Sequence, residues 1–352
     1  MGYYSVNPMM NRAGWVRLAA LIVCVGAAPQ QAPREGAPIG PLAHWKADDG
    51  ATPKEAVDAS GNGFGGTYSA GASTSTEVPA TKFANPGSFN LDGATGMISI
   101  PDSPALRITG DITIAFWKRK TAVVKDWVRI IGKGNGAQRN YGIWEYPDAS
   151  GQIKCQMYGP GGQSVLELDS PAATPMNAWT HIVLSISVNS AALYINGALV
   201  ANGTRTGEPG VAADPVTFGH AGYHGFFPGQ IDDVRIYDRA LSMGEVVYLA
   251  QGHGAPVAPA GLVAASADAQ QLTLKWNATP TEPPKGTVTY YTLKRSATSG
   301  SGYATVAWGL TGTVCTDLRP DPKATYYYVV TALNSAGESA VSNEIAVAPH
   351  AP

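Results

Sequence analysis

Between Trp45 and Tyr237 the chain is interrupted at short intervals by clusters of Gly, Pro, Asn and Asp. The apolar segments left between them are "GMISIP", "DITIAFWKR", "WVRIIGKG", "YGIWEY", "IKCQMY", "SVLELD", "WTHIVLSISV", "AALYING", "VTFG" and "QIDDVRIY". Each is short, rich in β-branched and aromatic residues, and often alternating, which is the pattern of strands half-buried on one face. Strands in such a run, without helices of crossover length between them, predict an all-β antiparallel sandwich and exclude βαβ units. One helix is expected, in "LSMGEVVYLAQG": Ser242 suits the N-cap, Glu245 completes a capping box three residues on, and Gly252 lies past the end.

The 352 residues suit about two domains, and a hydrophobic content of 44% is ample for buried cores. Charged residues make up 14% and the net charge is -2. Without a Lys/Arg run, that balance argues against nucleic acid and against an acidic membrane surface as partners. Near the N-terminus, Arg12 and Arg17 precede the apolar run "LAALIVCVGAA", too short to span a bilayer but suited to a secretory leader. Cleavage is expected near residue 27, with Met9 or Met10 as an alternative start. A retained anchor and a lipid-modified Cys24 are the other readings, the second weakened by Val23 before it. The mature protein is expected to be secreted, extracellular or on the cell surface, with no membrane insertion once the leader is gone. Cys155 and Cys315 then stand in different domains and read as buried free thiols rather than as a disulfide framework.

Two stretches rich in Pro, Ala and Gly, "APQQAPREGAPIG" and "GHGAPVAPAG", divide the chain. The expected organisation is a leader at 1–27, a linker at 28–40, a large domain at 41–252, a linker at 253–258 and a small domain at 259–348.

In "GQIDDVRIYDRALS", strand alternation puts Asp232 on one face with Val234 and Ile236, and Asp233 on the other with Ile231, Arg235 and Tyr237. Asp233 then pairs with Arg235 at the surface. Asp232 becomes a carboxylate at the edge of a core, which requires hydrogen bonds or a cation to compensate it.

The ordered series "HWKADDG", "DASGNGFGG", "FNLDGATGMISIPDSPAL", "ITIAFWKR", "IIGKG", "AWTHIVLSI", "LYINGALV" and "FPGQIDDVRIYDRALSMGEV" resembles the laminin-G-like jelly-roll family of concanavalin A-like sandwiches, over about Pro41 to Gly252. The resemblance implies a jelly roll and a calcium ion held between the early loop and the last long strand. The matching residues here are Asp58 and Asn62 in the loop and Asp232 in the strand, with Asp48 and Asp49 as further candidates. An alternative without metal has Asp232 accepting backbone N–H bonds from the loop. From about Pro259 to Ala348, "LTLKWNA" and "TDLRPDPKATYYYVVTALNSAGESAVSNE" resemble a fibronectin type III domain. There Trp276 is expected in the core, and Tyr326, Tyr328, Val330 and Ala332 on one face.

The same sandwich also hosts glucanases, which need two carboxylates across a cleft. Glu167 and Asp169 in "LELD" are the nearest approach, and a solvated sandwich face explains them better. His181 is expected to be a hydrogen-bonded strand histidine. The chain is therefore expected to be a non-catalytic binding or adhesion protein for an extracellular glycan or protein, with a glycoside hydrolase as the alternative. Sugar recognition needs exposed aromatic faces, and Trp127, Tyr141, Trp144, Tyr158, Tyr223, His224 and Phe226 lie near turn-rich stretches. Trp45, Trp117, Trp179 and Phe227 are expected in the core.

Overall fold

The computed structural model describes residues 40–48, 55–147, 151–267, 271–280, 288–318, 321 and 324–348. The expected leader, the linker up to residue 39, and Asp49 lie outside them. No helix among the described residues is long and apolar enough to cross a membrane.

The large unit is two antiparallel sheets face to face. The back sheet runs, in order, Ala198–Gly203, Ala191–Ile195, Thr180–Ile186, Ile112–Lys120, Pro228–Tyr237, Ser88–Asp92 and Ala72–Ser75, with Ala43–Trp45 also pairing with Pro228–Tyr237. The front sheet runs Ser164–Asp169, Ile153–Tyr158, Tyr141–Glu145, Val128–Lys133, Val216–Phe218, Ile98–Ile100, Gly66–Tyr68 and Glu55–Ala56. Alternation decides which residues meet between them. Ile112, Ile114 and Phe116 of the back sheet pack on Tyr141, Ile143, Ile153, Cys155, Val216 and Phe218 of the front one. Trp45 and Phe227 are fully buried there, as expected, while Trp117 is buried on the outer side of the back sheet and Trp179 is half-buried. One charged cluster crosses the interior. Lys118 reaches Glu145 at 2.5 Å, and Lys120 binds the same carboxylate.

Local chemistry sets the turns. Asn196 and Gly197 take φ of 51° and 81° to close the hairpin between Ala191–Ile195 and Ala198–Gly203, the left-handed pair that a two-residue hairpin requires. The helix Met243–Ala250 begins at Ser242 with the full capping box: Ser242 Oγ accepts from Glu245 N, and Glu245 Oε2 accepts from Ser242 N.

The C-terminal unit is a second sandwich. A three-stranded sheet, Ala260–Ala267, Gln271–Asn277 and Val314–Leu318, faces a five-stranded one built on Tyr290–Ser296 and Tyr326–Asn334. Its core joins Leu272, Leu274, Trp276 and Cys315 to Leu293, Tyr328, Val330 and Ala332, with Tyr326 packed partly against it. Cys155 and Cys315 are both buried, each outside a disulfide.

The segment between the two sandwiches is fastened rather than loose. His253 stacks on Tyr248 with 4.3 Å between ring centres, and its Nε2 lies 2.8 Å from Lys82 Nζ. Beyond it, Tyr237 donates to Ser335 O at 2.6 Å, and Asn334 Nδ2 donates to Gly254 O at 3.1 Å. Ala336 enters an apolar socket on the outer face of the back sheet, formed with Ala115, Val183, Tyr194, Tyr237, Val246 and Leu249. The small domain thus docks on the back of the large one.

Candidate functional site

Pairing of Pro228–Tyr237 with Ile112–Lys120 is regular up to Asp232 opposite Trp117, and resumes at Arg235 opposite Ala115. Two residues therefore stand against one, and Asp233 takes the left-handed φ of 52°. This is a β-bulge, which breaks simple alternation. Ile231, Val234 and Ile236 all enter the core, and Asp232 shares the outer face with Arg235 instead of the inner face with Val234 and Ile236. That corrects the alternation read from sequence. The pairing of Asp233 with Arg235 is present, at 2.5 Å, but it is buried rather than at the surface. Asp233 Oδ1 also lies 2.5 Å from His44 Nε2. Burial, reinforced by the Arg235 charge, lowers the His44 pKa to about 4, so a neutral imidazole donates to the carboxylate. Burial alone would raise the Asp233 carboxyl; Arg235 and His44 overcome it and hold the group below the usual range.

Asp232 finds its partner in Asn85, whose Nδ2 donates to Oδ2 at 2.8 Å, while Oδ1 accepts from Asp233 N at 2.7 Å. Burial pushes its pKa up to about 8, and the charges of Asp233 and Asp48 add to that against the Asn85 hydrogen bond. Asp48 Oδ1 and Asn85 Oδ1 are both buried without a hydrogen-bond donor. Asp48 is paired with Lys46 at 3.3 Å, while the Asp232 carboxylate and the unsatisfied Asn85 oxygen are hard donors of the kind calcium takes. The described residues contain no group of three or more His, Cys, Asp and Glu placed around one metal, so an ion here depends on the amide oxygen, main-chain carbonyls and water for its remaining ligands.

The early loop is organised otherwise. Asp58 Oδ1 accepts from His44 N and Ser60 N, and Oδ2 from Ser60 Oγ and Phe64 N, all between 2.9 and 3.0 Å. Asn62 Nδ2 donates to Leu42 O at 2.9 Å. Both side chains brace the turn, and neither hydrogen-bonds Asp232.

A second locus lies on the outer face of the front sheet. Two neighbouring cross-strand rows meet there: Arg129, Trp144, Lys154 and Asp169 in one, and Thr217, Gly132, Gly142, Gln156 and Glu167 in the other. The glycines make room for their neighbours. A Cβ on Gly142 would stand 2.7 Å from Trp144 Nε1, and one on Gly132 would stand 3.1 Å from Arg129 Nε. Trp127, Arg139, Trp144, Gln156 and His224 line a depression of about 210 Å³. Arg139 crosses it, with its guanidinium 4.8 Å from the Trp144 ring and 4.7 Å from the Tyr158 ring. It donates to Tyr223 Oη at 3.0 Å and to Gln156 Oε1. Tyr223 and His224 pack on each other and on Trp144, and Trp127 packs on Tyr146.

Of the aromatic candidates, Trp127, Trp144, Tyr158, Tyr223 and His224 therefore come together, but Trp144 is 3% exposed and forms the floor under Arg139 instead of the exposed face expected. Tyr141 does not, because it shares the inner face with Ile143 and is fully buried, its hydroxyl on Leu106 O. Phe226 stacks on His220 at 3.8 Å instead of facing the depression. Arg129, Arg139 and Asn85 were not singled out from the sequence. The signal for Arg129 was a lone arginine within an apolar strand, whereas nothing local marks Asn85. Glu167 and Asp169 are both engaged by Lys154, at 2.9 and 3.5 Å. His181 differs from expectation: burial lowers its pKa to about 3, neither ring nitrogen has a hydrogen-bond partner, and the ring packs on Trp117 at 4.8 Å.

No curated protein sequence matches the chain. Among solved structures it is similar to domain 4 of AbnA, a GH43 extracellular arabinanase from Geobacillus stearothermophilus, in complex with arabinotriose. Identity is 21%, covering 60% of this chain and 98% of that one, with a TM-score of 0.47. The binding domain of Paraclostridial Mosquitocidal Protein 1 is similar at 12% identity, over 85% of this chain and 88% of that one, with a TM-score of 0.49. An Fn3-like protein from Clostridium thermocellum is 34% identical over 28% of this chain and 99% of its own, with a TM-score of 0.24. The family model of the concanavalin A-like lectin/glucanases superfamily matches residues 92–247, a span that holds the long back-sheet strands, the front-sheet depression and the bulge. Over residues 92–247 the chain is similar to a concanavalin A-like domain.

Proposed function

We propose that the protein is an extracellular, non-catalytic glycan-binding protein, with the outer face of the front sheet as its binding surface. The observation that carries this is the depression where Trp127, Trp144, Tyr223 and His224 gather around Arg139. Aromatic faces that stack on sugar rings, beside a few fixed polar groups, are what carbohydrate sites use. The apolar N-terminal run supports export. The C-terminal sandwich, read as a type III domain, holds the binding domain from behind.

Calcium is proposed as a structural ion, held by Asn85 and Asp232, with Asp58 and Asn62 shaping the adjoining loop. Bound to the folded state alone, it adds about 2.7 kcal/mol at a hundredfold excess over Kd. A glycan-array screen of the full chain, with and without calcium, tests both parts. Binding of a defined glycan that Trp127→Ala and Tyr223→Ala each weaken tenfold or more is the expected result. Binding insensitive to both variants would place the site elsewhere. A melting temperature unmoved by chelator and by added calcium would remove the ion.

A further inference from the structure

Of the described arginines without an ion pair, Arg119, Arg129, Arg139 and Arg205, two lie against the same Trp144 ring, Arg129 and Arg139. Arg107, Arg235, Arg239 and Arg295 each form an ion pair with a carboxylate. Among the described residues, neither Arg129 nor Arg139 does. Arg129 is 1% exposed and gives its hydrogen bonds to Thr217 Oγ1 and Gly134 O. Arg139 gives its own to Gln156 Oε1 and Tyr223 Oη. All four acceptors are neutral, and the Nε of each arginine is buried with no acceptor at all.

Of the nearby acids, Asp214 acts on Arg129 through space without pairing to it, and three others are engaged elsewhere. Glu167 and Asp169 hold Lys154, Asp169 also accepts from Tyr146 Oη, and Asp126 lies against His224 and accepts from Trp127 N. The two guanidiniums lie 4.9 and 4.8 Å from the same Trp144 ring. Two cations close together, one of them buried, with no carboxylate paired to either, are costly to the folded protein. Burial, opposed by Tyr223 and Asp214 and aided by the charge of Arg139, lowers the Arg129 pKa to about 10, which leaves the group charged at neutral pH. An arriving anion relieves that cost, and a carboxylate matches the planar guanidinium with bonds about twice as strong as those to neutral oxygens.

Resting on the glycan-binding reading, we propose that the depression takes a uronic-acid residue of an acidic polysaccharide. Its carboxylate sits on Arg139, Arg129 adds charge from beneath, and the sugar ring lies against the half-buried Trp127 indole. Gln156 and the Tyr223 hydroxyl, released from Arg139, are left to meet sugar hydroxyls. An acidic peptide would satisfy the charge but would make no use of the aromatic walls.

Calorimetric titration of the full chain tests this, with oligosaccharides of glucuronate, galacturonate and mannuronate beside their carboxyl-reduced counterparts, and with polyglutamate. At least one uronate is expected to bind tenfold or more tightly than its reduced form. Arg139→Gln, folded as judged by an unchanged melting curve, should erase that difference, and Arg139→Lys should restore part of it. Trp127→Ala should weaken acidic and reduced sugars alike. Equal binding of acidic and reduced forms overturns the uronate proposal and leaves the glycan reading standing. Polyglutamate binding that depends on Arg139, without any sugar binding, overturns both and makes the ligand a peptide. Absence of binding to any of these, combined with an empty glycan array, also overturns both.

Discussion

At the scale of single residues, the adjacent aspartates of Pro228–Tyr237 have opposite characters. Asp233 is a buried anion between Arg235 and His44. Asp233→Ala strands the Arg235 guanidinium in the interior, so it should cost about 3–5 kcal/mol, read as a shifted urea midpoint. Asp232→Asn, measured in chelator, should cost far less, because an amide still accepts from Asp233 N. The pH dependence differs in the same way. Asp232 has an ordinary pKa near 3.8 when unfolded and about 8 when folded. Its contribution is fully present below the unfolded value and lost as pH rises through the folded one. In chelator, wild-type stability should therefore fall relative to Asp232→Asn between about pH 4 and 8, and calcium should cancel the fall. Parallel profiles for the two proteins would mean that Asp232 is not perturbed and that the cation reading has lost its electrostatic basis.

At the scale of elements, features set by near neighbours were legible and those set across the sheet were not. The capping box at Ser242 and Glu245 stands as expected, and the Asn196-Gly197 turn is a local bargain of the same kind between sequence and backbone. Ser242→Ala should cost about 1 kcal/mol by thermal melting, with the front face unaffected. The bulge at Asp233 has no local signature of that kind. It is imposed by pairing with Ile112–Lys120, by the core's demand for Val234 and Ile236, and by the burial of Arg235 with its partner. Strict alternation therefore put Asp232 on the wrong face. The error over Tyr141 is different, because the cue was present. Tyr141, Ile143 and Glu145 share one side of their strand, and the isoleucine marks that side as the core, so Trp144 had to face outward. The meeting of Asn85 and Asp232 joins two separate segments, and that is long-range information no spacing encodes.

At the scale of the whole molecule, the two sandwiches are joined through Ala336 in its socket and the bond from Tyr237 to Ser335 O. Ala336→Asp places a carboxylate in an apolar pocket and should undock the small domain. The expected sign is one calorimetric transition becoming two, with a larger radius of gyration in small-angle scattering; a single transition and an unchanged radius would show that the seam is not needed for docking. The seam also has a directional consequence. It occupies the outer face of the back sheet, whereas Trp127, Arg139 and Trp144 belong to the outer face of the front sheet, on the far side of the core. The described residues of the second domain thus stand clear of a polymer laid over the depression. Such a surface can engage a long chain at interior sites as well as at its tip, so affinity per chain should climb with polymer length through the number of overlapping registers, even where each register is weak.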